Sequence, residues 1–178
     1  KDKKLYLVRD RIGEKPLYYG KLNNTFIFGS ELKALKLHDN FKGKLSQKAI
    51  SAFMKYSYIP APHTIYEDIH KLPPGEILEV SKKNNHFQIK NENYWDLKSF
   101  INLADHDQYY QDETSILNEF ENKLTNSILN QQISDVPIGA FLSGGVDSSL
   151  IVSIMQKLSN SNIQTYTIGS KNKKYDES

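Results

Sequence analysis

Ser143-Gly144-Gly145-Val146-Asp147-Ser148-Ser149 stands between two apolar segments of different rhythm. Before it, Pro137-Ile138-Gly139-Ala140-Phe141-Leu142 has the length and composition of a short buried strand. After it, Leu150, Ile151, Ile154, Met155 and Leu158 recur at helical spacing and predict a helix over 148–158. A loop at 159–162 leads to a second strand at 163–168. Strand, helix and strand within roughly thirty residues predict a parallel crossover, the unit of an α/β sheet. A loop passing from strand to helix collects unpaired backbone N–H groups and the positive end of the helix dipole, so it attracts anions. Gly144 and Gly145 allow close approach of a bulky anion, and Ser143, Ser148 and Ser149 add hydroxyl donors. Asp147 is the odd member. A carboxylate beside phosphates is repulsive unless a cation lies between, which points to Mg²⁺ on a hard oxygen ligand.

A plain N-cap would account for Ser or Asp at such a place taken singly, but the full heptad with its strand and helix favours pyrophosphate binding. Competing motifs fail on particular residues. A Walker loop needs a Lys that is missing here, and a nucleophile elbow around Ser143 needs Gly where Phe141 stands. A dinucleotide fingerprint needs a third Gly where Ser148 stands.

The first third reads as antiparallel β. Leu5–Val8, Leu17–Gly20 and Thr25–Phe28 are strand-forming runs, with Asn23-Asn24 as a tight turn. Arg9, Asp10, Gly13 and Pro16 lie between the first two, and we expect a structural turn pinned by a guanidinium–carboxylate pair. Ser30 is expected to cap a short helix over 31–36, with Leu32 and Leu35 inward, and Ser46 a longer one whose stripe is Ile50, Phe53 and Met54. Pro60 and Pro62 exclude regular structure around them. Glu76–Val80 and His86–Lys90 predict a hairpin across 82–85. Residues 98–112 are polar and weakly patterned, and we expect a connection there. Asp112 or Thr114 then starts a long helix to about 131, with Ile116, Leu117, Phe120, Leu124 and Ile128 on one face.

Composition removes several classes of function. A net charge of +2 over 178 residues argues against nucleic acid or an anionic membrane as partner. Without Cys there are no disulfides or thiolate metal sites, in keeping with a cytoplasmic protein, and the five His show no metal-ligand spacing. No apolar run approaches the ~20 residues of a membrane helix. Tyr18, Tyr19, Tyr56 and Tyr58 are expected in core or interface packing rather than a ligand site. A start at Lys1 and an end soon after the second strand lead us to expect a window of a longer chain.

The heptad resembles the signature of the ATP pyrophosphatases, which cleave ATP between its α- and β-phosphates. Upstream, residues 9–20 and 28–35, Tyr58-Ile59-Pro60-Ala61-Pro62-His63-Thr64-Ile65-Tyr66, Lys71-Leu72-Pro73-Pro74-Gly75 and Tyr94-Trp95 resemble the later part of a class II glutamine amidotransferase domain. In this order the segments are similar to the asparagine synthetase family. That resemblance implies an α+β part followed by an α/β part: the C-terminal part of an αββα N-terminal-nucleophile glutaminase over 1–97, a linker over 98–112, and the start of a Rossmann-like PP-loop domain over 113–178. It implies that Ser143, Gly144, Gly145, Asp147, Ser148 and Ser149 hold pyrophosphate, Asp147 also binding Mg²⁺, while the backbone at Leu142 and Ile168 touches adenosine. The family's glutaminase nucleophile is an N-terminal Cys, absent here, so no catalytic residue is assigned to that half. The implied substrates are glutamine, aspartate and ATP, giving asparagine, AMP and diphosphate through a β-aspartyl-AMP intermediate, with homodimerisation left open. Two alternatives stand beside it: amidation of another carboxylate by the same machinery, and a degenerate nucleotide-binding scaffold.

Overall fold

The computed structural model describes residues 3–84, 86–104 and 112–169. The chain divides into two compact units, Lys1–Gln108 and Tyr109–Ser178.

The first unit contains two antiparallel three-stranded sheets. One orders its strands β1 (Lys4–Val8), β5 (Glu76–Lys83) and β6 (His86–Asn93), with Leu7 opposite Leu78 and Val80 opposite Ile89. The other orders β3 (Thr25–Gly29), β2 (Tyr18–Leu22) and β4 (Ile69–Lys71), with Gly20 between Ile27 and Ile69. Period-two alternation divides the side chains between faces. Leu7, Leu78 and Val80 from the first sheet meet Tyr19 and Phe26 from the second, with Leu72 and Phe87 filling the layer between. On the far face of the second sheet, Leu22 and Ile69 pack with Leu35 of the short helix α1 (Leu32–Leu35), joined by Tyr18, Phe41 and Tyr66.

Several local expectations change. The residue preceding α1 is Glu31, not Ser30, and no side chain caps that helix. Ser46 does cap α2 (Gln47–Tyr56), its Oγ accepting from Ala49 N–H at 3.3 Å. The α2 stripe is nevertheless exposed: Met54 is 79% accessible, whereas Ala49, one turn before Phe53, is fully buried. That helix packs through its small residue. Tyr18 and Tyr19 flank the two cores, but Tyr56 and Tyr58 lie exposed beside each other. The hairpin strands run on to Lys83 and Asn93; of its turn, Asn85 lies outside the described residues. The expected connection begins as a helix, α3 (Leu97–Ala104), with the Asp96 carboxylate accepting from Ser99 N–H and hydroxyl; residues 105–111 lie outside the described ones.

Arg9 and Asp10 do not pair with each other. Successive side chains on extended backbone leave on opposite sides, and each finds main chain instead. The buried Arg9 guanidinium donates to the carbonyls of Lys15 at 2.9 Å, Gly13 at 2.8 Å and Leu72 at 2.6 Å. The Asp10 carboxylate accepts from the N–H groups of Gly13, Glu14 and Lys15. A Cβ at Gly13 would collide with Pro74 and the Arg9 guanidinium. Gly75 N–H donates to Asp10 carbonyl, Tyr94 hydroxyl to Arg9 carbonyl, and Tyr94 and Trp95 N–H to Gly75 carbonyl. Residues 9–16, 72–75 and 94–95 thus form one hydrogen-bonded knot.

The second unit is smaller. Helix α4 (Glu113–Gln131) starts on Asp112, whose Oδ1 accepts from Ser115 N–H at 3.0 Å. Strand β7 (Gly139–Phe141), helix α5 (Val146–Leu158) and strand β8 (Gln164–Tyr166) follow, the strands parallel with Phe141 opposite Tyr166. This is the expected crossover, with shorter strands and the helix beginning two residues earlier. Ile128, Ile154 and Met155 are buried together with Leu124, Ile138, Ala140 and Ile163 around them. Ile116, Leu117 and Phe120 at the start of α4, and Leu150, Ile151 and Leu158 of α5, remain exposed. Lys157 ties α5 to Glu121 of α4 at 2.7 Å. Among the described residues no helix is long and apolar enough to cross a membrane.

Arg9→Lys cannot reach three carbonyls in one plane, and stranding them is expected to destabilise the first unit by about 2–4 kcal/mol in urea unfolding followed by Trp95 fluorescence. Asp10 behaves differently with pH. Partial desolvation opposes its charge, but the N–H groups of Lys15, Glu14 and Gly13 outweigh it and hold the carboxyl below its ordinary range. A lowered folded pKa means stability that is present above the ordinary value of about 3.9 and lost as pH falls through the folded one. Asp10→Asn should therefore destabilise at neutral pH, with a penalty that shrinks below about pH 4; a penalty independent of pH would contradict this.

Candidate functional site

The loop between β7 and α5 carries the residues singled out from the sequence. Gly145 is the N-cap of α5, and the first helical bond runs from Ser149 N–H to Gly145 carbonyl at 3.1 Å. The N–H groups of Val146, Asp147 and Ser148 precede that bond and have no intrahelical acceptor. Gly144 has φ of +76°, a conformation costly for any residue with a Cβ. Ser148 folds back into the loop. Its Oγ donates to Gly145 carbonyl at 3.1 Å, accepts from Ser143 N–H at 3.3 Å, and lies 3.2 Å from Ser143 Oγ. Ser143, Gly144, Gly145, Asp147 and Ser149 are exposed. Among the described residues the Asp147 carboxylate has no hydrogen-bond or ion-pair partner, and no cluster of three metal-ligating side chains occurs. A lone carboxylate suits Mg²⁺, which commonly takes one or two protein carboxylates and completes its shell with water and phosphate oxygens.

Leu142 and Ile168 stand together where the two parallel strands end. They line a cavity of about 180 Å³ with Phe141, Ser143, Tyr166 and Thr167, so the first serine of the loop and the ends of both strands open onto one crevice. Ligands of open α/β sheets bind at this carboxyl end. A larger cavity, about 570 Å³, lies at the opposite ends of the strands among Gln132, Pro137 and Asn160, away from the loop. Phe141, Tyr166 and Thr167 were not singled out from the sequence. Only the parallel register brings Tyr166 and Thr167 beside Leu142, with Leu142 N–H donating to Tyr166 carbonyl at 2.9 Å and Thr167 Oγ1 to Leu142 carbonyl at 2.6 Å.

Comparison with known proteins gives first a class and then a family. The glutamine amidotransferase domain matches residues 1–95, and the asparagine synthase domain matches residues 119–178. A putative glutamine-hydrolysing asparagine synthetase 2 of Methanocaldococcus jannaschii is 35% identical over 99% of this chain and 33% of its own length. Glutamine-hydrolysing asparagine synthetase 1 of Bacillus subtilis is 30% identical over 99% of this chain and 26% of its own. Amidase chyE of Penicillium rubens is 27% identical over 86% of the chain and 21% of its own. The chain belongs to the glutamine-hydrolysing asparagine synthetase family and spans a third or less of the length of these relatives.

Gly144→Val forces a branched side chain into positive φ, at a cost of about 1–2 kcal/mol. Binding of inorganic pyrophosphate to the full-length protein, measured by titration calorimetry with Mg²⁺, is expected to weaken about tenfold or more. Unchanged affinity would place the anion elsewhere.

Proposed function

We propose that the full-length protein makes an amide at the expense of ATP, converting aspartate, glutamine, ATP and water to asparagine, glutamate, AMP and diphosphate. The observation that carries this reading is the glycine-rich loop leading into the amino end of α5, its first residue Ser143 lining a crevice with the ends of two parallel strands. In the proposed reaction the β-carboxylate of aspartate attacks the α-phosphorus of ATP. The bond to the bridging oxygen breaks, and pyrophosphate leaves with the negative charge. Donors fixed in the loop stabilise that charge as it develops: the free N–H groups at the start of α5 and the hydroxyls of Ser143, Ser148 and Ser149. Mg²⁺ on Asp147 would neutralise phosphate charge beside them. Leu142 and Ile168 would flank the adenosine. Ammonia released from glutamine then attacks the acyl carbon of β-aspartyl-AMP, and AMP departs.

The matched glutamine amidotransferase domain supports glutamine as nitrogen source. On this reading residues 1–97 belong to an αββα glutaminase, with no catalytic residue for that half assigned within them, 98–112 link the domains, and 113–178 open the synthetase of a cytoplasmic enzyme; sedimentation tests homodimer formation. A second reading keeps the chemistry and changes the acceptor carboxylate, and relatives named amidases favour keeping it in view.

Pyrophosphate release by the full-length protein, given ATP, Mg²⁺ and ammonium with and without aspartate, separates these. Aspartate-dependent release with matching AMP is expected. Asp147→Ala should abolish it, since one lost electrostatic group at such a site costs roughly 2–4 kcal/mol of barrier or more. Near-normal activity in that variant would sink the Mg²⁺ assignment, and ADP as product would sink the role of the loop.

A further inference from the structure

The two parallel strands part in an unusual way. Along the ladder Gly139 faces Gln164, Ala140 faces Thr165 and Phe141 faces Tyr166. Leu142 N–H then donates to the Tyr166 carbonyl at 2.9 Å. In a parallel ladder the next bond would run from Ile168 N–H to the Leu142 carbonyl. That carbonyl instead accepts from the side chain of Thr167, its Oγ1 at 2.6 Å. A side-chain hydroxyl has taken the place of a backbone donor, the competition with secondary structure that Ser and Thr offer at element ends. Two consequences follow from the geometry. The ladder stops one bond early, and among the described residues the Ile168 N–H has no protein acceptor. Both residues whose backbone would flank the adenosine are therefore set by Thr167, Leu142 through its carbonyl and Ile168 through its released N–H.

Thr167 is exposed and lies outside the cluster formed by Ile128, Ile154 and Met155. Its hydroxyl does nothing for the core of the unit. Its position on the wall of the same small cavity as Leu142, Ser143 and Ile168 gives it one evident task.

We propose that Thr167 is a positioning residue for the adenosine part of ATP: its hydroxyl intercepts the Leu142 carbonyl, ends the strand ladder, and leaves the Ile168 N–H facing the crevice as a donor for the base. This rests on the nucleotide-site reading given above, and goes beyond it in naming a side chain that touches neither phosphate nor metal. Replacing the hydroxyl by a methyl lets the Ile168 N–H close on the Leu142 carbonyl, which would narrow the crevice and remove the donor together. Serine keeps the hydroxyl.

The test uses the full-length protein and two ligands that divide the site. AMP probes the crevice, and inorganic pyrophosphate with Mg²⁺ probes the loop. Thr167→Val is expected to weaken AMP binding roughly five- to tenfold, with pyrophosphate affinity within about twofold of the parent, a change too small to reflect a lost hydrogen bond. Thr167→Ser should restore AMP binding. In turnover the valine variant should raise KM for ATP while leaving KM for the acceptor unchanged. AMP affinity unaltered in Thr167→Val overturns the inference. So does parallel loss of AMP and pyrophosphate, which would make Thr167 a general structural residue, as would failure of serine to restore AMP. If the parent binds AMP in a Thr167-dependent way yet releases no pyrophosphate, the proposed reaction fails and the positioning role stands. A parent that binds neither ligand overturns both.

Discussion

Arg9 supplies the constraint on which the first unit depends. Its guanidinium is buried and has no carboxylate partner among its bonds; it is held by three main-chain carbonyls, two from the turn that follows it and one from Leu72, 63 residues on. Burying a cation among neutral acceptors is tolerable only when its donors are met in good geometry, and a planar fork meets them where an ammonium could not. The same bonds settle three loop carbonyls that would otherwise be orphans beside a packed core. Because Leu72 is at once an acceptor for Arg9 and a fully buried member of the layer between the sheets, the polar knot and the apolar core fix each other. Gly13 follows from this, since the guanidinium occupies the space a Cβ would need.

The second unit is organised around a different element, the handover from β7 to α5. Here the core is thin, with Ile128, Ile154 and Met155 its buried residues. What places the loop is the pairing of β7 with β8 and the docking of α5 on α4, reinforced by the exposed Lys157–Glu121 pair, whose own contribution at the surface is small. The amino end of α5 is then presented where the strands end. Its free N–H groups are a property of any helix start; here two glycines without side chains precede them, and a crevice opens beside Ser143.

Much of this was legible along the sequence because it is local. The strands β1, β2 and β3, the Ser46 and Asp112 caps, and the loop ahead of α5 each depend on residues within a few positions of one another. What escaped depends on the partner. β4 is three residues between proline-rich turns, and only its pairing with β2 makes it a strand. α3 was hidden because its eight residues are followed by the polar run of 105–108, which masks the helical spacing of Leu97, Phe100, Ile101 and Ala104; Trp95 stacks on Phe100 at 5.6 Å. Arg9 and Asp10 suggested a salt bridge because opposite charges adjoin, yet extended backbone sends adjacent side chains apart. In α2 the helical period of Ile50, Phe53 and Met54 was present, but period alone does not say how deeply a stripe is covered, and Ala49, one turn before Phe53, is the residue inside. Thr167 is an ordinary residue until the parallel register sets it against Leu142.

The serines of the loop carry a last physical point. Ser143 and Ser148 satisfy each other and the Gly145 carbonyl, so the loop has no need of a ligand to settle its hydroxyls. Neutral hydrogen bonds of this kind contribute about 0.5–1.5 kcal/mol each. Bonds from the same donors to a charged phosphate oxygen are roughly twice as strong. A hydroxyl can rotate from one partner to the other without moving the backbone, so the exchange favours the anion while the empty loop keeps its shape. An alanine would leave the loop without the internal bonds, and a lysine would hold charge there permanently. On the proposed reading, serine beside glycine gives a loop that is ordered before binding and still has donors to offer, which is what electrostatic stabilisation of a leaving group requires.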